Sequence, residues 1–255
     1  MKKIGILGGL AWPSTVEYYS GICRLAEGRH AADKLGGLAR MPEIAIESLD
    51  VATAISLLGD DHDEASWAGF DAYHRAGLQR LQHSGADFAV IASNTAHHRF
   101  AQITHDMGMP VVNIVTTAAA MCARIGVTRV LILGTMPVMQ SVVLRSAFAE
   151  YGVEAASLRN ARAQRRIATT IYALQNGRID GAAKLIHAIV AETGAGRLRG
   201  RTAIYLGCTE LPLAFPEQKN TEVFEAGGTL YLNSTALHIQ AAFQFATREP
   251  RPCEH

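Results

Sequence analysis

Two similar lobes of the α/β class, each a mostly parallel sheet flanked by helices, are the architecture this 255-residue sequence predicts. Three observations point there. Short apolar runs ending in glycine or polar residues alternate with longer segments whose apolar residues recur at three-and-four spacing. The opening Ile4-Gly5-Ile6-Leu7-Gly8-Gly9 returns as Val130-Leu131-Ile132-Leu133-Gly134-Thr135, and Ala92-Ser93-Asn94-Thr95 returns as Gly207-Cys208-Thr209-Glu210, in the same order in each half. Hydrophobic residues make up 49% of the chain and charged ones 18%, which supplies a sizeable core and lies far from a disordered composition.

Strands are expected at 4–7, 44–46, 88–92, 111–115, 130–133, 153–155 and 203–206, where apolar runs meet glycine or polar stops. Helices are expected at 14–27, 64–83, 139–151 and 164–177, the last ended by Gly177, with two more at 182–192 and 236–246. The repeat suggests two lobes, and the division expected is 1–116 plus 234–255 for the N-terminal lobe, with a returning C-terminal helix, and 117–233 for the C-terminal lobe. No low-complexity linker separates the halves, so the lobes are expected to pack closely. The run Asp60-Asp61-His62-Asp63-Glu64 reads as a solvated loop capping the next helix, because consecutive residues cannot all face one metal ion.

Composition also removes whole classes of function. Twenty-four basic against 23 acidic residues leave a formal charge of +1, which argues against a nucleic-acid or membrane-surface partner. Every apolar run is broken well short of the roughly 18 residues a membrane span needs. Gly8-Gly9 and Pro13 interrupt the apolar start before a signal-peptide core forms, so a mature cytoplasmic N-terminus is expected. The cysteines at 23, 122, 208 and 253 show no Cys-x-x-Cys spacing and read as free thiols. Cys23 and Cys122 fall in apolar helical patterns, and Cys253 in a proline-containing tail.

Ligands of open α/β sheets sit beyond the carboxyl ends of the strands. Gly8-Gly9, Ser93-Asn94-Thr95, Gly134-Thr135 and Cys208-Thr209-Glu210 are the segments that occupy such ends. Backbone N–H groups and helix starts there favour an anion. Gly5-x-x-Gly8-Gly9 lacks the dinucleotide spacing, and no Gly-Lys-Ser/Thr phosphate loop occurs, so a small carboxylate is favoured and no cofactor is expected. Cys208, at a strand end before a helix start, is expected to have a stabilised thiolate and a lowered pKa. A small buried structural cysteine is the other reading of that position.

At these residues the chain resembles the aspartate/glutamate racemase family of cofactor-independent enzymes. The resemblance covers nearly the whole chain. It rests on the opening glycine motif with Ser14-Thr15-x-x-Tyr18-Tyr19, on Ser93-Asn94-Thr95-Ala96-His97, on Leu133-Gly134-Thr135 and on Gly207-Cys208-Thr209-Glu210. It implies two pseudo-symmetric lobes with the active site in the interlobe cleft, an acidic amino acid (aspartate or glutamate) as substrate, and a homodimer. It also implies α-proton transfer by two thiols on opposite faces of the α-carbon, without pyridoxal phosphate or metal. The family's first motif reads Cys-Asn-Thr-Ala-His, so Ser93 stands where the first thiol belongs and only Cys208 matches the second.

A serine alkoxide is scarcely populated, so Ser93 donates or relays a proton more readily than it takes one from carbon. Three readings of Ser93 stay open: a natural one-thiol racemase, a Cys-to-Ser replacement, and a decarboxylase or isomerase working through Cys208 alone. A non-catalytic carboxylate-binding protein is the rival outside the enzymes. By the same resemblance Asn94, Thr95, Thr135, Thr209 and Glu210 form the substrate-binding set, with helix capping the alternative use of the Asn and Thr side chains. Arg165 is expected to grip the side-chain carboxylate through two hydrogen bonds. An arginine that some aspartate racemases carry after the second strand has no counterpart in Glu47-Ser48-Leu49-Asp50. His97 supports the cleft and His98 faces solvent in this reading, and Asn233 stands where the family commonly has aspartate.

Overall fold

Apolar runs with no polar alternation must be covered on both faces, and they form the centres of two parallel sheets. The computed structural model describes residues 1–29, 39–193 and 200–248, so Cys253 lies outside the described residues. The first sheet joins β1 (Ile4–Gly8), β2 (Ile44–Ser48), β3 (Phe88–Ile91) and β4 (Val111–Val112) in the order β2-β1-β3-β4, all parallel. The second joins β5 (Arg129–Gly134), β6 (Glu154–Ser157), β7 (Thr202–Gly207), β8 (Val223–Ala226) and β9 (Thr229–Asn233) in the order β6-β5-β7-β9-β8, with β8 alone antiparallel. The internal repeat is therefore structural. β1 beside β3 and β5 beside β7 are the matching central pairs.

Helices fill the crossovers: α1 (Trp12–Arg29), α2 (Val51–Ser56), α3 (Ala68–His83), α4 (Phe100–Thr104) and α5 (Ile114–Arg124), then α6 (Met136–Gln140), α7 (Val142–Ala149), α8 (Ala161–Gln175), α9 (Ala182–Glu192) and α10 (Ser234–Thr247). Apolar residues of α10, among them Ile239, Ala242 and Phe243, share one core cluster with Ile4, Ile6 and Ile22, so the chain ends by returning to the first lobe. α5 packs as a unit in a second-lobe cluster with Ile132 and Phe148, so the cut at 116/117 falls inside a helix. Among the described residues no helix is long and apolar enough to cross a membrane.

Caps explain most departures from the expected boundaries. The strand expected at 111–115 stops at Val112 because the Asn113 side chain accepts the N–H groups of Val115 and Thr116 and starts α5. The helix expected at 139–151 breaks at Ser141, whose hydroxyl accepts from Leu144 N–H and begins α7. In the acidic run, Asp63 accepts from Ala65 N–H and caps a turn of 3-10 helix at Glu64–Trp67. Asn233 accepts from Ala236 N–H to cap α10 and donates to the Lys219 carbonyl, a donation that an aspartate could not make.

The β8–β9 hairpin lies outside the strands expected from the sequence. Its signal is Gly227-Gly228, with φ of 57° and 71°, the two left-handed residues that a tight hairpin turn requires. At the carboxyl ends of β5 and β7, a Cβ on Gly134 would lie 2.6 Å from the Gly207 carbonyl oxygen. Glycine there lets the two central strands of the second lobe run side by side up to the loops that carry function.

Two buried histidines stand where the lobes meet. The Tyr18 hydroxyl donates to His238 Nδ1 at 2.7 Å, and His238 Nε2–H donates to the Val112 carbonyl at 2.9 Å, so His238 is neutral. Burial, with the neighbouring His97 second, holds its pKa down to about 3, and burial holds His97 at about 4. Both values lie below the unfolded one, so the neutral forms stabilise the fold above about pH 6.5, and this is lost as pH falls towards the folded values. Each histidine contributes a loss of about 1.4 kcal/mol per pH unit in that window. Urea unfolding at pH 7 and pH 5 should show this slope, to which the buried His74 adds a share, and His238→Gln should make it shallower. An unchanged slope in that variant would assign the pH dependence elsewhere.

Candidate active site

The carboxyl ends of β1, β3, β5 and β7 face a common cavity of about 220 Å³ between the lobes. Ser93, Asn94 and Thr95 line it from the first lobe, and Thr135, Cys208, Thr209 and Glu210 from the second. The structure thus brings together seven of the eight residues picked from the sequence. Arg165 is the exception. It is exposed on α8 and is absent from the cavity lining, while its neighbour Arg166 pairs with Glu192 at 2.9 Å. Gln175, ten residues further along the same helix and so about 15 Å away along the axis, is the α8 residue that reaches the cavity.

Cys208 is 6% exposed and follows directly on β7. Its Sγ–H donates to Glu210 Oε2 at 2.8 Å. Burial is the largest cause raising its pKa, and the Glu210 carboxylate adds to it by charge and by hydrogen bonding. The backbone N–H groups of Glu210 and Leu211 pull the other way and lose. The lowered pKa expected from the sequence is therefore corrected: the resting group is a thiol. The following turn is a four-residue 3-10 helix, Leu211–Ala214, too short to present a substantial dipole, and a carboxylate lies within hydrogen-bond distance of the sulfur.

Glu210 is 2% exposed and is held by donors from both lobes. Thr209 Oγ1 donates to Oε2 at 3.1 Å, and Ser14 Oγ, on α1, lies 2.6 Å from Thr209 Oγ1 and 3.2 Å from Glu210 Oε1. A hydroxyl has one hydrogen, so Ser14 serves one of these acceptors at a time.

On the facing side, Asn94 is locked by its own bonds. Its Nδ2 donates to Ser234 Oγ at 3.0 Å and its Oδ1 accepts from the Tyr205 hydroxyl at 2.7 Å. Ser234 in turn donates to the Leu206 carbonyl. Thr95 Oγ1 meets Thr135 Oγ1 across the cleft at 3.0 Å. None of Asn94 and Thr135 caps its helix through the side chain, so the capping alternative does not describe them. Tyr205 and Ser234 were not picked from the sequence. Tyr205 is hidden in an apolar strand, and Ser234 is masked by the Asn233 cap beside it.

Ser93 is half-buried, and its carbonyl accepts from His97 Nδ1–H at 2.7 Å. His97 Nε2 accepts from Ile114 N–H at 3.2 Å, which fixes the tautomer and ties the Ser93 turn to the start of α5. His98, expected to face solvent, is 8% exposed instead. It bonds Asp61 Oδ1 at 2.8 Å within its own lobe and Ser141 Oγ at 2.9 Å, a further link across the lobes.

The Cys208–Glu210 geometry makes a direct prediction. Replacing Glu210 by Gln removes the like charge and should lower the pH midpoint of Cys208 alkylation. Iodoacetamide labelling resolved by peptide mass, run from neutral to alkaline pH, measures this. A midpoint unmoved by Glu210→Gln would mean that the carboxylate does not hold the thiol protonated.

Comparison with known proteins agrees with this architecture. An aspartate racemase homologue from Pyrococcus horikoshii OT3 superposes with a TM-score of 0.75 at 25% identity, over 97% of this chain and 100% of that one. The aspartate racemase of Picrophilus torridus gives 0.70 at 18% identity, over 98% and 96%. The glutamate racemase of Aquifex pyrophilus gives 0.60 at 17%, over 95% and 83%. These last two share the two-lobed fold. The sequence model of the Asp/Glu/hydantoin racemases matches residues 7–242, and the chain belongs to that family.

Proposed function

We propose that this protein is a cofactor-independent amino acid racemase in which Cys208 transfers the α-proton and Ser93 faces it across the bound α-carbon. The observation that carries this reading is one cavity lined by a thiol and a hydroxyl, each at the end of a central strand of its own lobe. Aspartate and glutamate, the amino acids in the names of the relatives, are the first substrates to assay. The family resemblance adds a homodimer to the proposal.

Catalysis begins by moving the thiol proton to Glu210 along the 2.8 Å hydrogen bond. The amino acid's ammonium group favours this transfer, because it offsets the charge formed on sulfur. The thiolate then takes the α-proton and becomes a thiol again. The electron pair left on carbon spreads into the α-carboxylate, whose oxygens Thr95, Thr209 and the backbone N–H groups after β3 and β7 stabilise. Protonation from the Ser93 side gives the mirror-image amino acid, and return from Cys208 gives back the original one. After inversion Ser93 regains from water the proton it gave and Glu210 releases the one it took to water, and after return Glu210 hands its proton back to Cys208, so either branch restores the resting thiol, carboxylate and hydroxyl.

Ser93 makes the two faces unequal, since its hydroxyl is a far weaker acid than a thiol. That inequality favours a second reading, a decarboxylase or isomerase that protonates from the Cys208 face alone. In heavy water, the enantiomer whose α-hydrogen faces Cys208 should take up deuterium faster than it inverts, and its mirror image should exchange much more slowly. Ser93→Cys should narrow this asymmetry and raise inversion, while Cys208→Ala should abolish exchange. Polarimetry and proton NMR on the same samples separate the two rates. Equal exchange of both enantiomers by the unaltered protein would contradict the two-face assignment, and no exchange on any amino acid would leave a carboxylate-binding protein.

A further inference from the structure

Away from its polar floor, the cavity is walled by Leu10, Val51, Ala54, Ile55, Leu58 and Phe70. Among the described residues that line it, none is lysine or arginine, and the charged side chain present is Glu210. A substrate with a second carboxylate would bring two negative charges beside a buried carboxylate, against the single positive charge of its own ammonium group. The second carboxylate is desolvated without a partner, which disfavours binding.

His74 sharpens the point. It is fully buried, lines the same cavity, and donates Nδ1–H to the Phe70 carbonyl at 2.8 Å. Its Nε2 is therefore a bare acceptor, and it has no hydrogen-bond partner. Burial disfavours protonation of this ring. A lone-pair acceptor meets a carboxylate oxygen as one acceptor meets another, whereas it accepts readily from a hydroxyl or N–H.

We propose that the side-chain subsite formed by Val51, Ile55, Leu58, Phe70 and His74 selects an α-amino acid with an uncharged, largely apolar side chain, so that aspartate and glutamate are poor ligands. The proposal rests on the α-proton-transfer reading for its orientation: the α-carboxylate lies at the polar floor and the side chain against the apolar wall. The ammonium group supplies the positive charge that Glu210 faces, and a monocarboxylate leaves one net negative charge in the cavity where aspartate or glutamate leaves two.

Calorimetric titration of the full chain with both enantiomers of leucine, methionine, aspartate and glutamate tests the subsite without requiring turnover. Leucine or methionine should bind at least tenfold more tightly than either acidic amino acid. Ile55 is 61% exposed, so an arginine there is compatible with the fold, and Ile55→Arg should shift the preference at least tenfold towards the acidic pair. Equal or tighter binding of aspartate or glutamate by the unaltered protein, no binding of any of the four, or a ratio indifferent to Ile55→Arg would overturn the proposal.

Deuterium exchange on the same panel keeps the two claims apart. Exchange that is fastest on aspartate overturns the subsite and leaves the proton-transfer chemistry standing. Selective binding of leucine without exchange on any amino acid overturns the chemistry and leaves the subsite.

Discussion

A carboxylate with almost no access to water needs donors, and the arrangement of Glu210 follows from that need. Its partners are Cys208, Thr209 and Ser14, drawn from both lobes. Leaving a buried charge short of hydrogen bonds costs several kcal/mol, so these contacts fix the loop after β7 against the first turn of α1. The same contact keeps the Cys208 thiol protonated. One interaction thus sets both the closeness of the lobes and the protonation state of the reactive group.

The remaining cross-cleft contacts share a pattern. Thr95 with Thr135, and Asn94 with Tyr205, pair polar groups of one lobe with those of the other, while Ser234 of α10 braces Asn94 from within the first lobe. Hydroxyl–hydroxyl contacts exchange partners at little cost, because each group serves as donor or acceptor. A substrate carboxylate can replace the Thr95–Thr135 bond with charge-assisted ones, which are stronger. The Asn94 amide is held at both ends and keeps the floor in place during that exchange. His97 does the same for the Ser93 turn from beneath, and burial keeps it neutral and so able to accept from Ile114 N–H.

Much of this was legible in the sequence because it repeats. Matching strand-and-glycine motifs at 4–9 and 130–135, and matching turns at 92–95 and 207–210, located both central strand pairs and the loops after them. Local chemistry hid the rest. Asn113 and Ser141 cut expected elements short through caps that periodicity does not register, and Gly227-Gly228 marked a hairpin whose flanking strands are too short to alternate visibly. The site was less legible than the fold where it depends on helix direction. Arg165 lies on the expected helix but at the wrong end of it, and Gln175 reaches the cavity instead. Placing Cys208 beside a helix start predicted an acidic thiol. Neither its depth nor the side-chain direction of Glu210, two residues on, is written in the spacing.

In this mechanism Cys208 rests as a thiol hydrogen-bonded to Glu210 and passes its proton to that carboxylate only when substrate is bound. Infrared spectroscopy observes the S–H stretch directly, in a region clear of other protein bands. Unliganded protein at slightly alkaline pH should show a band that vanishes in Cys208→Ala and moves to higher frequency in Glu210→Gln, as the hydrogen bond to the carboxylate is lost. A spectrum without any Cys208 band near neutral pH would mean that the sulfur is already a thiolate, and would contradict the account.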